Sequence, residues 1–408
     1  MDRKPPLLFL AHRIPYPPNK GDKIRSFHLL RHLDRRYRVH LGTFVDDPDD
    51  WQYVEKLTPW CASHCVRPLH PGRARLASLK GLLDGRPLTL PYYHDRRLAR
   101  WVAETVAREG IRDILIYSSA MAQYVMGPAF DECRRLIDLV DVDSDKWRQY
   151  AEQKRWPMSW IYRRESRTLL AFERAVSARF DATFLVSDEE AELFRGLAPE
   201  VTDKIHSLRN GVDLEAFDPD RDHPNPYEGA GPHLVFTGAM DYWPNVDAVV
   251  WFADEVLPAL RRHYPELVFH IVGSRPAEQV RALGGRPGID VTGGVPHIQP
   301  YIRHAQVAVV PMRIARGIQN KVLEAMAMAR PVVVSPMGLE GVNAQEGREV
   351  LVAESADQFA RQVRRILDGE VSAEALGRAA REKVVRDFSW ETALPLLDRW
   401  FDADEVSS

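Results

Sequence analysis

The chain of 408 residues has only three cysteines, Cys61, Cys65 and Cys133. Three thiols cannot build a disulfide framework, and Cys61 and Cys65 with His64 and His70 do not complete a familiar zinc spacing. Free thiols in a reducing cytoplasm are the expectation. No run of about 18 uncharged apolar residues is present, which excludes a membrane-spanning helix. The opening Met1-Asp-Arg-Lys-Pro-Pro lacks the apolar core of a signal peptide. Net charge is only −3, so no global field directs the chain to nucleic acid. No strand runs into the complete three-glycine dinucleotide fingerprint, which disfavours a nicotinamide oxidoreductase.

What is present is the composition of a globular protein, 45% hydrophobic and 28% charged. The length suits two domains of roughly 200 residues each. Short apolar runs alternate with helical patterns throughout, which predicts α/β domains with doubly wound parallel sheets. Expected strands include Leu7–Ala11, Val39–Val45, Ile111–Tyr117, Arg135–Val140, Phe180–Ser187, His233–Thr237, Leu267–Val272 and Ile289–Thr292. Expected helices include Trp51–Leu57, Arg73–Leu83, Val246–Leu260, Ser355–Leu367, Ala373–Arg386 and Trp390–Phe401, with Pro87–His94 as a loop. Residues 218–231, rich in Pro, Gly and Asp, give the clearest boundary signal. In the second half, strand ends at Gly238, Gly273, Gly293 and Pro311 each turn into a loop.

The most informative stretch is Pro311–Ser335, PMRIARGIQNKVLEAMAMARPVVVS. It reads as strand end, glycine loop, helix and strand. Gly317 frees the backbone before a helix that begins near Asn320, a good N-cap residue. Free amides feeding a helix N-terminus suit a phosphate. Arg316 and Lys321 flank that terminus with positive charge. Glu324 lies one turn in, where a carboxylate can accept from two adjacent hydroxyls. A nucleotide whose diphosphate meets the cations and whose ribose meets Glu324 fits the pattern. A structural helix with AMAMA as its core face fits it too.

These residues carry a resemblance. RGIQNKVLEAMAMARPVVVS resembles the donor-binding segment of family 4 glycosyltransferases, which have the GT-B fold. Arg-Gly-Ile-Gln-Asn-Lys-Val-Leu-Glu at 316–324, and Gly-x-Met-x-x-Trp-Pro-Asn at 238–245 with Trp251-Phe252, resemble a bacterial branch associated with exopolysaccharide synthesis and PEP-CTERM/exosortase loci, and Asn210-Gly-Val-Asp213 resembles the segment that links the two GT-B domains. The resemblance implies two Rossmann-like domains facing a cleft. They are an acceptor-side domain over 1–213 and a donor domain over 214–388. A C-terminal helix and tail over 389–408 cross back to the first domain. It implies that Glu324 holds the ribose hydroxyls. Family members usually have a glutamate eight positions earlier, where this chain has Arg316. Arg and Lys residues used elsewhere in the family for the diphosphate are missing from the Gly238 loop. The cationic task therefore falls to Arg316 and Lys321, with Arg275 or Arg313 as further candidates. The expected donor-binding set is Gly21, Gly238, Arg275, Gly317, Ile318, Asn320, Lys321 and Glu324.

On the first half, Lys20-Gly21-Asp22 follows the first strand at the end where such sheets bind ligands. Lys20, Asp22 and Arg25, with Ser187, are the acceptor-side candidates. Ser187 equally reads as the cap of the helix after it. Asp138, Asp141, Asp143 and Asp145 crowd a strand end. One carboxylate there could orient or deprotonate an acceptor hydroxyl. In many related transferases a histidine occupies this point, and Asp143, or else Asp141, stands in its place. Alternatively Asp143 or Ser144 caps the next helix. The segment 146–167 mixes Lys and Arg with Trp and Tyr. It suits the surface of an anionic membrane, or a helix pair with its aromatics facing the domain core.

The resemblance thus implies a retaining, metal-independent glycosyltransferase. It would act without a cofactor and take a nucleoside-diphosphate sugar as co-substrate. The acceptor would be a glycan or lipid-linked glycan, and nucleic acid is not an expected partner. The catalytic candidates are Asp143, Asp141, Arg316 and Lys321. Two other readings use the same fold: a nucleotide-sugar epimerase, and a nucleotide-sugar-binding protein with a dead site.

Overall fold

The structure is a computed structural model that describes residues 4–18, 20–79, 81–82, 85–152, 154–315 and 317–402. The chain divides into two compact units, one of Met1–Arg209 with Leu394–Ser408 and one of Asn210–Ala393. The second unit begins at Asn210 because 210–213 packs against the segment that ends it. The Val212 amide donates to the Phe388 carbonyl at 2.7 Å. A Cβ on Gly211 would lie 2.5 Å from the Trp390 nitrogen, so only glycine fits.

The first unit is built on a seven-stranded sheet in the order β3-β2-β1-β4-β5-β6-β7. Its strands are β1 (Pro6–Ala11), β2 (Arg38–Val45), β3 (Ser63–Pro68), β4 (Asp113–Tyr117), β5 (Arg134–Val140), β6 (Ala182–Leu185) and β7 (Ile205–Ser207). Every pairing is parallel. Parallel strands bury both faces, so they read as unbroken apolar runs. Leu7 to Ala11 and Ile114 to Ile116 are all fully buried. The helix α1 (Gly21–Arg36) follows β1, and helices α2 (Pro71–Ser78), α3 (Arg96–Glu109), α4 (Asp143–Glu152), α5 (Met158–Arg179) and α6 (Asp188–Leu197) lie between later strands. Ser187 caps α6 by accepting from the Glu190 amide.

The second unit carries a six-stranded parallel sheet in the order β10-β9-β8-β11-β12-β13. Its strands are β8 (His233–Thr237), β9 (Val268–Val272), β10 (Ile289–Gly293), β11 (Val307–Val310), β12 (Val332–Val334) and β13 (Leu351–Val352). The helices include α7 (Trp243–Trp251), α8 (Leu257–His263), α9 (Gln299–His304), α10 (Asn320–Ala327), α11 (Ala356–Leu367) and α12 (Ala373–Asp387). Ser355 and Gln358 form a reciprocal capping box on α11.

Several expected elements differ. Strand β3 was not anticipated, because Ser63–Pro68 is half-buried and mixed in character. Trp51–Leu57 falls in a longer 3-10 helix, Pro48–Trp60, and Pro87–His94 contains a helical turn at Thr89–Tyr92. The expected helix 73–83 ends at Ser78, and Lys80 and Leu83 lie outside the described residues. Val246–Leu260 begins earlier, at Trp243, with Pro244 in its first turn, and passes through a π-turn at Phe252–Val256. Trp390–Phe401 breaks between Ala393 and Pro395, as an interior proline without an amide requires.

The last helix, α13 (Pro395–Phe401), packs within the first unit. His32 Nε2 meets Asp398 at 2.9 Å, Arg36 meets Asp402 at 2.6 Å, and the Tyr37 and Phe401 rings lie 5.5 Å apart. Among the described residues, no helix is long and apolar enough to cross a membrane.

Candidate functional site

In each sheet the winding direction reverses once, and open α/β sheets bind ligands beyond the carboxyl ends of the strands at that reversal. In the second unit the reversal lies between β8 and β11. Strand β8 ends in the Gly238 loop, and β11 ends in the loop through Gly317 to α10. Two stretches far apart in sequence are thereby brought together. A Cβ on Gly238 would lie 3.5 Å from Lys321 Cε and 2.7 Å from Asn245 Nδ2. Asn245 Nδ2 donates to the Ala239 carbonyl at 2.9 Å, and its buried Oδ1 has no hydrogen-bond partner among the described residues. The Gly238 loop itself lies tight on its neighbour, since a Cβ on Gly273 would come 1.6 Å from the Gly238 oxygen.

The loop before α10 needs its glycine, because Gly317 has φ +66°. Asn320 is not the cap that the sequence suggested. Gln319 is the N-cap residue, and its side chain makes no capping bond. Its Oε1 instead accepts from Lys321 Nζ at 3.2 Å, and Nε2 donates to the Gly317 carbonyl at 3.0 Å. Lys321 Nζ also lies 5.4 Å from the centre of the Phe236 ring, a cation–π contact. Burial lowers the Lys321 ammonium to about 8, with Glu324 pulling the other way. Burial pushes the Glu324 carboxyl up to about 7, opposed by Lys321. A recessed ammonium and a recessed carboxyl one turn apart thus sit at the sheet's switch point. Arg316 lies outside the described residues. Ile318 is half-buried against the core of the second unit.

Two further cations turn elsewhere. Arg275 pairs with Asp241 at 3.0 Å and is well exposed. Arg313 pairs with Asp247 and lies 5.8 Å over the Trp251 ring. Neither is a free diphosphate ligand as it stands. Asn245 is the residue that sequence reasoning missed here. It closes the Gly-x-Met-x-x-Trp-Pro-Asn pattern, but the pattern alone does not say that its amide supports the Gly238 loop.

In the first unit the reversal lies between β1 and β4. The residue following β1 is His12, whose ring stacks on Tyr117 at the end of β4, 5.6 Å between centroids, and meets Tyr93 edge-on at 5.8 Å. His12 Nε2 lies 3.4 Å from Asp22. Asp22 also accepts from Arg13, which forks onto Asp46 at 2.9 and 2.7 Å. Burial alone would raise Asp22, but His12 and Arg13 more than offset it and hold the carboxyl well below the usual range. His12 and Arg13 carry no sequence signature, and only the topology shows their place. Gly21 opens α1, where nothing within 4 Å would meet a Cβ. Lys20 precedes it, 3.9 Å from Asp47.

Arg25 and Ser187 are turned into the interior of the first unit. Arg25 is fully buried and donates to both oxygens of Asp138, at 2.6 and 3.0 Å. Ser187 is buried, with its hydroxyl committed to the α6 cap. The crowded carboxylates separate. Asp138 holds Arg25, and Asp145 accepts from Arg148 and Gln149, each at 2.7 Å. Asp141 and Asp143 are half-buried, 3.9 and 3.6 Å from Lys146 Nζ. Burial pushes the Asp143 carboxyl up, against the pull of Lys146 and of His12. Asp143 and His12 thus feel each other at the β1 end of the sheet.

Comparison with known proteins adds the following. Residues 231–369 match the family described as Glycosyl transferases group 1. A glycogen synthase from Mycobacterium tuberculosis is 28% identical over 250 residues, 57% of this chain and 56% of that protein. The chain spans about half the length of the curated relatives it matches. Sucrose-phosphate synthase from Thermosynechococcus elongatus superposes with a TM-score of 0.71 at 20% identity, over 99% of this chain and 100% of that one. HepE from Anabaena, in complex with UDP, gives 0.66 at 15% identity over 98% and 100%. The two parallel-sheet units have the GT-B fold of these solved structures, and residues 231–369 are similar to the group 1 glycosyl transferases.

Proposed function

We propose that the protein is a glycosyltransferase that uses a nucleoside-diphosphate sugar. It transfers the sugar, with retention at the anomeric carbon and without a catalytic metal, to a glycan or lipid-linked acceptor in cell-surface polysaccharide synthesis. The observation that carries this reading is the recessed Lys321 ammonium beside the Gly238 loop. It lies at the switch point of the unit that matches the group 1 glycosyl transferases.

The roles follow from the chemistry of each group. Lys321, the amides opening α10 and Arg316 attract the diphosphate and stabilise it as it departs with the bond to the sugar broken. The Gly238 loop and Gly317 let backbone approach the phosphates, with Ile318 and Asn320 lining the turn. Glu324, ionised, accepts from the ribose hydroxyls. In the first unit, Asp143 or Asp141 orients the acceptor hydroxyl, in the neighbourhood of Lys20, Asp22 and His12. Catalysis on this account comes from positioning and electrostatic stabilisation, with no enzyme nucleophile.

The test is to incubate the protein with UDP-, GDP-, ADP- and dTDP-sugars, with and without lipid extract. Release of free nucleoside diphosphate that depends on acceptor supports the transferase. Interconversion of sugars without acceptor would instead make it an epimerase. Tight nucleotide binding without turnover would make Arg316, in place of a glutamate, the mark of a dead site.

A further inference from the structure

Two segments of the first unit expose apolar side chains that a water-facing surface does not need. On α5 and the turn before it, Trp156 is 81% exposed and Trp160 53%, with Met158 between them also exposed. On α2 and just beyond, Leu76 is 75% exposed and Leu79 53%. Tyr150 on α4 is exposed as well, whereas Trp147 and Tyr162 are half-buried and pack ring to ring at 5.1 Å. One pair of aromatics packs together, and another set projects outward.

The two segments are tied together by buried polar contacts. Arg164, one turn after Trp160, donates to the carbonyls of Gly81 and Arg86, the latter at 3.2 Å. Glu165 accepts from the amides of Leu88 and Thr89 at 2.7 and 3.0 Å and from the Thr89 hydroxyl at 2.8 Å. The segment after α2 is thus fastened to the start of α5. Both stretches are also strongly basic. Segment 146–167 has seven Lys and Arg against two carboxylates, and 71–88 has four against one, in a chain whose net charge is −3. Arg73, Arg75, Lys154, Arg155, Arg163 and Arg167 are all exposed.

We infer that this joined face, α2 with the α4–α5 corner, docks on the surface of an anionic lipid bilayer. The Trp rings and the Leu and Met side chains enter the headgroup and acyl boundary, while the flanking cations meet lipid phosphates. Nucleic acid would use the cations, but its phosphate backbone has no use for exposed Leu76, Leu79 and Met158. A bilayer interface takes both kinds of group. The inference does not depend on the transferase reading, since vesicle binding and sugar transfer are measured separately.

The experiment is flotation of the full chain with phosphatidylglycerol-containing vesicles and with phosphatidylcholine vesicles. Binding is expected to the first only and to weaken with salt. The variant Trp156→Ala/Trp160→Ala should partition about tenfold more weakly, and Arg155→Glu/Arg163→Glu more weakly still. Trp51→Ala, an exposed aromatic outside this face, should bind as the parent does. Because all these side chains are exposed, the variants should melt like the parent, which separates lost docking from lost folding. Equal binding to both vesicle types, or Trp variants that bind as the parent does, would overturn the inference. Preference for an RNA homopolymer over the anionic vesicles would also overturn it.

Discussion

Arg25 and Asp138 are 113 residues apart in sequence, yet the guanidinium grips the carboxylate with two nitrogens at 2.6 and 3.0 Å, both groups fully buried. Burial opposes the Arg25 charge, and Asp138 more than offsets that, so the guanidinium stays cationic. Removing one partner leaves the other charged and dry. Asp138→Ala should therefore cost the first unit about 3–5 kcal/mol. Arg25→Met combined with Asp138→Leu should recover most of the loss. Urea midpoints check both, and a single variant as stable as the parent would show that the pair is not a keystone of the sheet.

Lys321 and Glu324 make nucleotide affinity depend on pH in a defined direction. Glu324 is an effective acceptor only when ionised, above about 7. Lys321 attracts a diphosphate only when protonated, below about 8. Affinity for UDP, by calorimetry, should peak between these values and fall on both sides. Lys321→Met should weaken binding by about 1–3 kcal/mol and remove the alkaline limb, and Glu324→Gln should remove the acid limb. Arg316→Ala should weaken binding by a similar amount. Stability has the opposite profile. The raised Glu324 contributes stability at low pH that is lost as pH rises through about 7. The lowered Lys321 contributes stability at high pH that is lost as pH falls through about 8. The unliganded second unit should thus be least stable where it binds best.

Gly273 lies so close to the Gly238 carbonyl that a methyl group has no room. Gly273→Ala must push the Gly238 loop away from β9 and out of register with Lys321. The expectation is at least about tenfold weaker nucleotide binding with a small loss of stability, of order 1–3 kcal/mol for overpacking. A variant that binds as the parent does would show that the loop does not need its present position.

Glu173 is fully buried on α5 and pushed up to about 8 by burial, with Ser144 as a polar neighbour and Asp143 adding repulsion. Its carboxyl is neutral in the folded state at neutral pH. A raised carboxyl contributes stability at low pH that is lost as pH rises through the folded value, here about 8. Glu173→Gln should abolish that loss, which runs from the ordinary carboxylate value up to about 8, and should therefore be more stable than the parent at neutral pH. Thermal melts from pH 6 to about 9 compare the two slopes.

Much of the fold is legible one segment at a time. Buried parallel strands such as Leu7–Ala11 and Val332–Val334 announce themselves as unbroken apolar runs, because both their faces are covered. Ser187 and Ser355 announce helix starts, because capping needs only the residues next to it. The loop from Gly317 into α10 is visible for the same reason. Strand β3 was hidden, because an edge strand half-buried and of mixed polarity has no period to detect.

What the chain order could not decide was which distant groups meet. Arg25 reads along the chain as an acceptor-side candidate, and folding sets Asp138 against it. Arg275 and Arg313 are further diphosphate candidates along the chain, and the fold sets Asp241 and Asp247 against them. His12 was an unremarked loop residue until the sheet order set it on Tyr117 beside Asp22. Local sequence determined the strands, the caps and the glycine loops, since those depend on neighbours along the chain. Only the tertiary structure fixed the partners and shifted the titration of Lys321, Glu324 and Glu173, because charge answers to burial and to the groups packed beside it.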